Sequence, residues 1–200
     1  MSDRFFVVTG GPGSGKTTLI DALAALGFRH MPEAGRAIIR DQRRIGGNAL
    51  PWGDRAAFAE LMLAWEMRSW SEALAHPGPV IFDRGVPDVI GYLDLCGLPV
   101  PEHVARAAKI FRYARTVFVA PPWREIFTGD AERTQDFAEA EATHAAMLRT
   151  YAALGYEPVP LPFATVNARA AAVAEHIASQ FASATPGDSR SDHRDAFRRP

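Results

Sequence analysis

The stretch Gly10-Gly11-Pro12-Gly13-Ser14-Gly15-Lys16-Thr17 decides the reading of this 200-residue chain. It follows Phe5-Phe6-Val7-Val8-Thr9, a continuous β-prone apolar run of the kind found in strands buried on both faces of a parallel sheet. Residues 16–26 then place Leu19, Ile20, Leu23 and Leu26 at helical spacing, and Gly27 supplies a stop. Strand, glycine-rich turn and helix form the context in which G-x-x-x-x-G-K-[ST] binds phosphate. Glycines admit positive φ, so backbone N–H groups between Gly11 and Lys16 converge on one set of oxygens at the electropositive end of the helix. Pro12, Gly13, Ser14, Gly15 and Thr18 complete this candidate cradle. Lys16 brings a compact charge to β/γ phosphates, and the Thr17 hydroxyl suits Mg²⁺. A dinucleotide-type G-x-G-x-x-G cannot be drawn through Gly11 and Gly13, because position 16 is lysine.

The alternation continues outward from this turn. A short strand at 29–32, a helix at 34–44, and a long helix from an Asp54 cap to about 75 precede a third strand, Val80-Ile81-Phe82, that ends at Asp83. Helices at 87–95 and 101–114 lead to a strand at 116–120. A loop at 121–132, a helix at 134–154, a strand at 157–160 and an Ala-rich helix capped by Asn167 complete the pattern. Strand alternating with helix five times predicts an α/β domain with a mostly parallel sheet. Residues 1–182 read as that domain. Residues 183–200 are rich in Ser, Pro, Asp and Arg with few apolar positions, and read as a flexible tail.

Composition limits the partners. A net charge of −1 and 48% hydrophobic residues fit one globular domain and argue against a nucleic-acid coat or a polybasic membrane binder. Of the 22 basic residues only Lys16 and Lys109 are lysines. Cys96 stands alone, with no intramolecular disulfide or zinc pattern open to it, which fits a reducing cytoplasm. The apolar run at 5–8 is too short for a signal-peptide core, and nothing approaches a membrane helix.

In an open parallel sheet, ligand-contacting residues lie just beyond the carboxyl ends of strands. Glu33 follows the second strand and Asp83 the third. Asp83 there could hold a Mg²⁺-bound water or take a hydroxyl proton; either acid could instead cap the next helix.

The turn at 10–17, Pro32-Glu33-Ala34-Gly35-Arg36, Asp83-Arg84-Gly85, Arg133-Thr134, and Tyr151 with Leu154-Gly155-Tyr156-Glu157 together resemble a group of small P-loop ATPases labelled "AAA domain", which includes the kinase-type domain of ribosylnicotinamide kinases. The resemblance covers roughly residues 4–182. It implies a three-layer sandwich with a five-stranded sheet in the order 2-3-1-4-5. It also implies ATP and Mg²⁺ on the first turn and an acceptor pocket after strands 2 and 3. By position, Glu33 would sit beside the acceptor hydroxyl. Gly85 departs from the serine of the related nucleoside-kinase motif.

Arg124 and Arg133 flank Glu125–Glu132 in the loop after the fourth strand, where kinases of this architecture carry a lid whose arginines exclude water. Arg36, Arg40, Arg43 and Arg44 make one helical stripe; it is either a solvated face or a grip on an anionic acceptor near Arg36 and Arg40. Trp52, Phe58, Trp65 and Tyr92 are core residues or stacking surfaces for a flat acceptor. The expected function is an ATP- and Mg²⁺-dependent phosphotransferase acting on a small metabolite such as a nucleoside or nucleotide. The alternatives are a plain ATPase and a slow nucleotide-binding module that engages a protein or phosphorylated lipid. The expected catalytic set is Lys16, Glu33, Asp83, Arg124 and Arg133, with Thr17 and Asp83 toward the metal.

Overall fold

The computed structural model describes residues 3–127 and 136–183. Its sheet has five parallel strands: β1 (Phe5–Gly10), β2 (Arg29–Met31), β3 (Val80–Asp83), β4 (Thr116–Ala120) and β5 (Glu157–Pro160), in the order β2-β3-β1-β4-β5. The order places the glycine turn after β1 between the ends of β3 and β4, since Val8 pairs with Asp83 and Gly10 with Ala120.

The apolar run of β1 is continuous because both of its faces are covered. Successive side chains point to opposite sides of a strand. Phe5 and Val7 join the core formed with α3 (Arg55–Ala73), α4 (Val86–Leu95), α5 (Glu102–Ile110) and α6 (Phe137–Ala153), while Phe6 and Val8 join the core under α1 (Lys16–Ala25) and α7 (Val166–Ser183). The remaining helix, α2 (Ala34–Ile45), turns Ile38 and Ile39 toward Phe58 of α3 in a smaller cluster. No described helix is long and apolar enough to cross a membrane.

Local signals account for most boundaries. Asp54 caps α3 by accepting the Ala57 N–H at 2.9 Å. Three expectations shift. The fifth helix stops at Ile110 rather than 114: Phe111 leaves the helical region, and the next residues enter the core, where the Ala114 N–H donates to the Phe5 carbonyl at 2.7 Å. The sixth begins at Phe137, because Asp136 and Glu139 form a reciprocal capping box. Thr165, not Asn167, caps the last helix: its hydroxyl accepts the Ala168 N–H. The loop expected at 121–132 contains a 3₁₀ turn at Arg124–Ile126. The tail expected beyond 183 lies outside the described residues.

Candidate functional site

The glycine turn closes into a ring of backbone around the start of α1. Gly13 and Gly15 have φ of +67° and +77°, a region that favours glycine. Gly11 is required for a different reason: a Cβ there would lie 2.3 Å from the Ala140 carbonyl oxygen of α6. Lys16 lies across the turn, donating to the Gly11 carbonyl at 2.7 Å and the Gly10 carbonyl at 3.2 Å. Ser14 Oγ donates to the Gly11 carbonyl and Thr18 Oγ1 to the Gly15 carbonyl. Thr17 stands exposed on the first turn of α1. Pro12 reaches into the cavity described below.

The two expected acids lie to one side of this turn, after β2 and at the end of β3, and neither caps a helix. Glu33 occupies the cap position of α2 without making a side-chain cap. Its carboxylate instead meets Arg84 Nε at 3.3 Å and Arg36 Nε at 3.2 Å. Asp83 is 7% exposed, with Oδ1 buried and lacking a hydrogen-bond partner. Burial and the charge of Glu33 push its carboxyl up to about 6, while Lys16 and Arg84 oppose the rise.

Arg84, read from sequence only as part of a motif, is the hub of the acid cluster. It is the sole non-glycine residue with positive φ among those described, at 76°. That backbone turn sends its guanidinium between Glu33 and Asp88, whose Oδ1 lies 3.2 Å from Nη1. Burial opposes its charge, but Glu33, Asp88 and Asp83 outweigh burial and raise its pKa above the ordinary guanidinium value. Asp88 is saturated: Thr9, Tyr151 and the Gly85 N–H also donate to it, the last two at 2.6 and 3.0 Å. Through Asp88 the end of β3 is therefore tied to β1, α4 and α6.

Beside this cluster opens a cavity of about 340 Å³, a size suited to a small metabolite. Pro12, Glu33, Arg84 and Asp88 form its polar end. Trp52, Phe58, Met62, Val89 and Tyr92 form a largely apolar wall, with the Phe58 and Tyr92 rings edge-to-face at 5.4 Å. Glu66 of α3 is 4% exposed and lines the same space. Burial, then Asp88 and Asp83, hold its carboxyl well above the usual carboxylate range, which favours the neutral form, able to donate a hydrogen bond.

Several expected residues lie elsewhere. Arg36 is drawn to Glu33, and Arg40 is 70% exposed beside Asp41; neither lines the cavity. Trp65 packs against the α2–α3 cluster, not in the cavity. The Arg124 guanidinium lies over the Phe137 ring at 4.1 Å. Phe127, edge-to-face with Phe137, presses on Gly13, where a Cβ would fall 2.5 Å from the ring. Arg133 lies outside the described residues. Sequence reasoning missed Glu66, Asp88 and Arg169. Glu66 had a signal, since it falls on the apolar stripe of α3 with Phe58 and Met62, at spacings of eight and four. Asp88 follows Arg84 by four residues, but Arg84 precedes α4 and its backbone is not helical, so the spacing gave no signal. Arg169 had none.

The fold is that of P-loop proteins, with the sheet order 2-3-1-4-5 and the glycine turn after β1. The chain belongs to the family described as "AAA domain", whose model matches residues 5–169. No curated protein matches it. Among solved structures it is similar to a NadR protein in complex with NR, at TM-score 0.66 and 21% identity, covering 88% of this chain and 52% of that one. It is also similar to deoxyadenosine kinase from M. mycoides with bound dATP, at TM-score 0.57 and 13% identity over 87% and 99% of the two chains. Shikimate kinase from Acinetobacter baumannii in complex with shikimate gives 0.54 and 16% over 88% and 94%. The chain spans about half the length of the NadR structures.

Proposed function

We propose that the protein is a cytoplasmic phosphotransferase that moves the γ-phosphoryl of ATP to a hydroxyl of a small molecule. The observation that carries this reading is the cavity beside the glycine turn: it shares Pro12 with the turn and Glu33 with the acid cluster, so an acceptor and a phosphate chain would meet there. A plain ATPase needs no such second compartment.

The residues fit nucleotide and metal. Positive-φ glycines, Lys16 and the helix N-terminus suit a polyphosphate. Thr17 and the unpartnered Oδ1 of Asp83 suit a magnesium ion and its water, a donor set in which most ligands come from phosphate and solvent. Bound there, MgATP supplies the phosphoryl group and neutralises charge on its oxygens. Lys16 leaves the carbonyls of Gly10 and Gly11 to pair with the phosphates. Glu33, paired with Arg84 and Arg36, accepts the hydrogen bond of the acceptor hydroxyl and aims its oxygen. Phosphoryl transfer asks for positioning more than for proton removal, which this paired carboxylate suits. Arg124 and Arg133 are the lid cations of this reading.

The cavity also narrows the acceptor. Its acidic walls, Glu33, Asp88 and Glu139, outnumber its basic ones, Arg55 and Arg84, while burial favours the neutral form of Glu66. That balance disfavours an anionic acceptor and suits one with a hydroxyl and a flat or apolar body, a nucleoside among them. Lys16→Ala is expected to abolish nucleotide binding measured by calorimetry. Glu33→Gln is expected to leave that binding intact while turnover of an acceptor falls about 100-fold or more. Full acceptor turnover in Glu33→Gln would remove Glu33 from the reaction.

A further inference from the structure

Beneath the phosphate-binding turn lies a second cation for which neither the motif nor the acid cluster accounts. Arg169, in the first turn of α7, is 2% exposed. Its Nη1 donates to the Ser14 carbonyl at 3.2 Å, whereas Nε and Nη2 are buried without a hydrogen-bond partner. A Cβ on Gly15 would lie 3.2 Å from Nη1, so the guanidinium sits directly against the turn. Burial holds its pKa below the ordinary guanidinium value, although a guanidinium remains charged.

A buried cation is normally offset by a paired acid. Arg84 meets that expectation through Glu33 and Asp88; among the described residues Arg169 has no such acid. What Arg169 touches explains the exception. The Ser14 carbonyl and the Gly15 N–H belong to one peptide group, and Gly15 is the N-cap of α1. A charged donor on the carbonyl fixes that peptide plane and polarises it, strengthening donation by the N–H.

We infer that Arg169 is a positioning residue whose counter-charge is the polyphosphate chain of the nucleotide, acting from behind the turn through the Ser14–Gly15 peptide. This rests on the reading of the turn as a nucleotide site. The ligand chemistry involved is the polyphosphate alone, so the base and the acceptor play no part. Arg169 then works against the unliganded fold and for the liganded one, a pairing of effects that a purely structural arginine cannot produce.

The experiment combines calorimetric titration of MgATP and of magnesium tripolyphosphate with melts of the unliganded protein, for the wild type and three variants. Arg169→Met is expected to weaken both ligands equally, by about ten-fold, while the unliganded Tm stays level or rises. Arg169→Gln keeps a donor without the charge and is expected to show the same loss. Arg169→Lys is expected to recover part of it. Wild-type affinity in Arg169→Gln overturns the inference even if Arg169→Met fails to fold. So does a lowered unliganded Tm with unchanged affinity, or a loss confined to MgATP. A wild-type protein that binds neither ligand removes the nucleotide site itself, and the inference with it; that result is distinct from binding that the variants leave unchanged.

Discussion

Glu66 ties the stability of the fold to pH. Its carboxyl is buried beside Asp83 and Asp88, and its pKa is raised by burial first and by those acids second. A carboxyl whose folded pKa lies above its unfolded pKa contributes stability in full at acid pH, and loses it as pH rises through the folded value. Glu66→Gln is permanently neutral, so the variant should melt with the wild type near pH 4 and above it at alkaline pH. Parallel melting curves across that range would show that Glu66 is ionised in the fold. Asp83, lifted to about 6, adds the same sign of dependence at lower pH. The position of Asp83 was legible because it ends a strand that the apolar run Val80-Ile81-Phe82 declares, and that of Glu33 because it follows the short strand expected at 29–32. Asp88 and Tyr151 were not, because their bond spans 63 residues and exists only once α4 and α6 are packed together.

At the scale of elements, the phosphate-binding turn is held from two sides. α6 supports it through Gly11 and α7 through Arg169. Gly11 has no left-handed φ to relieve, so its substitution isolates the contact with α6. Gly11→Ala must move the turn and the Ala140 backbone apart, at a cost of about 1–3 kcal/mol in urea unfolding, and is expected to weaken MgATP as well. Loss of stability with unchanged affinity would uncouple the turn from α6. The element pattern was readable because β1 alternates its side chains between two covered faces. The end of α5 was not, since Phe111 to Ala114 have helical spacing but are claimed by the core and by the pairing of Ala114 with β1.

For the whole molecule, the strand order brings the ends of β1, β2 and β3 to one edge of a single cavity, and the chain needs no basic surface to hold an anion there. Its net charge of −1 is compatible with the proposed phosphate site because backbone amides, Lys16 and the buried Arg169 would do that work locally. Sequence showed the glycine turn; it did not show that the cavity beside it would be lined by Glu33, Glu66, Asp88 and Glu139 and walled by Phe58 and Tyr92, since those residues come from separate elements. The most direct test is to incubate the protein with MgATP and a panel of neutral hydroxyl compounds, nucleosides included, and to follow product masses. The account predicts that one class of compound gains a single phosphoryl group with matching release of ADP, and that Lys16→Ala abolishes the gain. ATP consumed to free phosphate at the same rate whatever compound is added would contradict it.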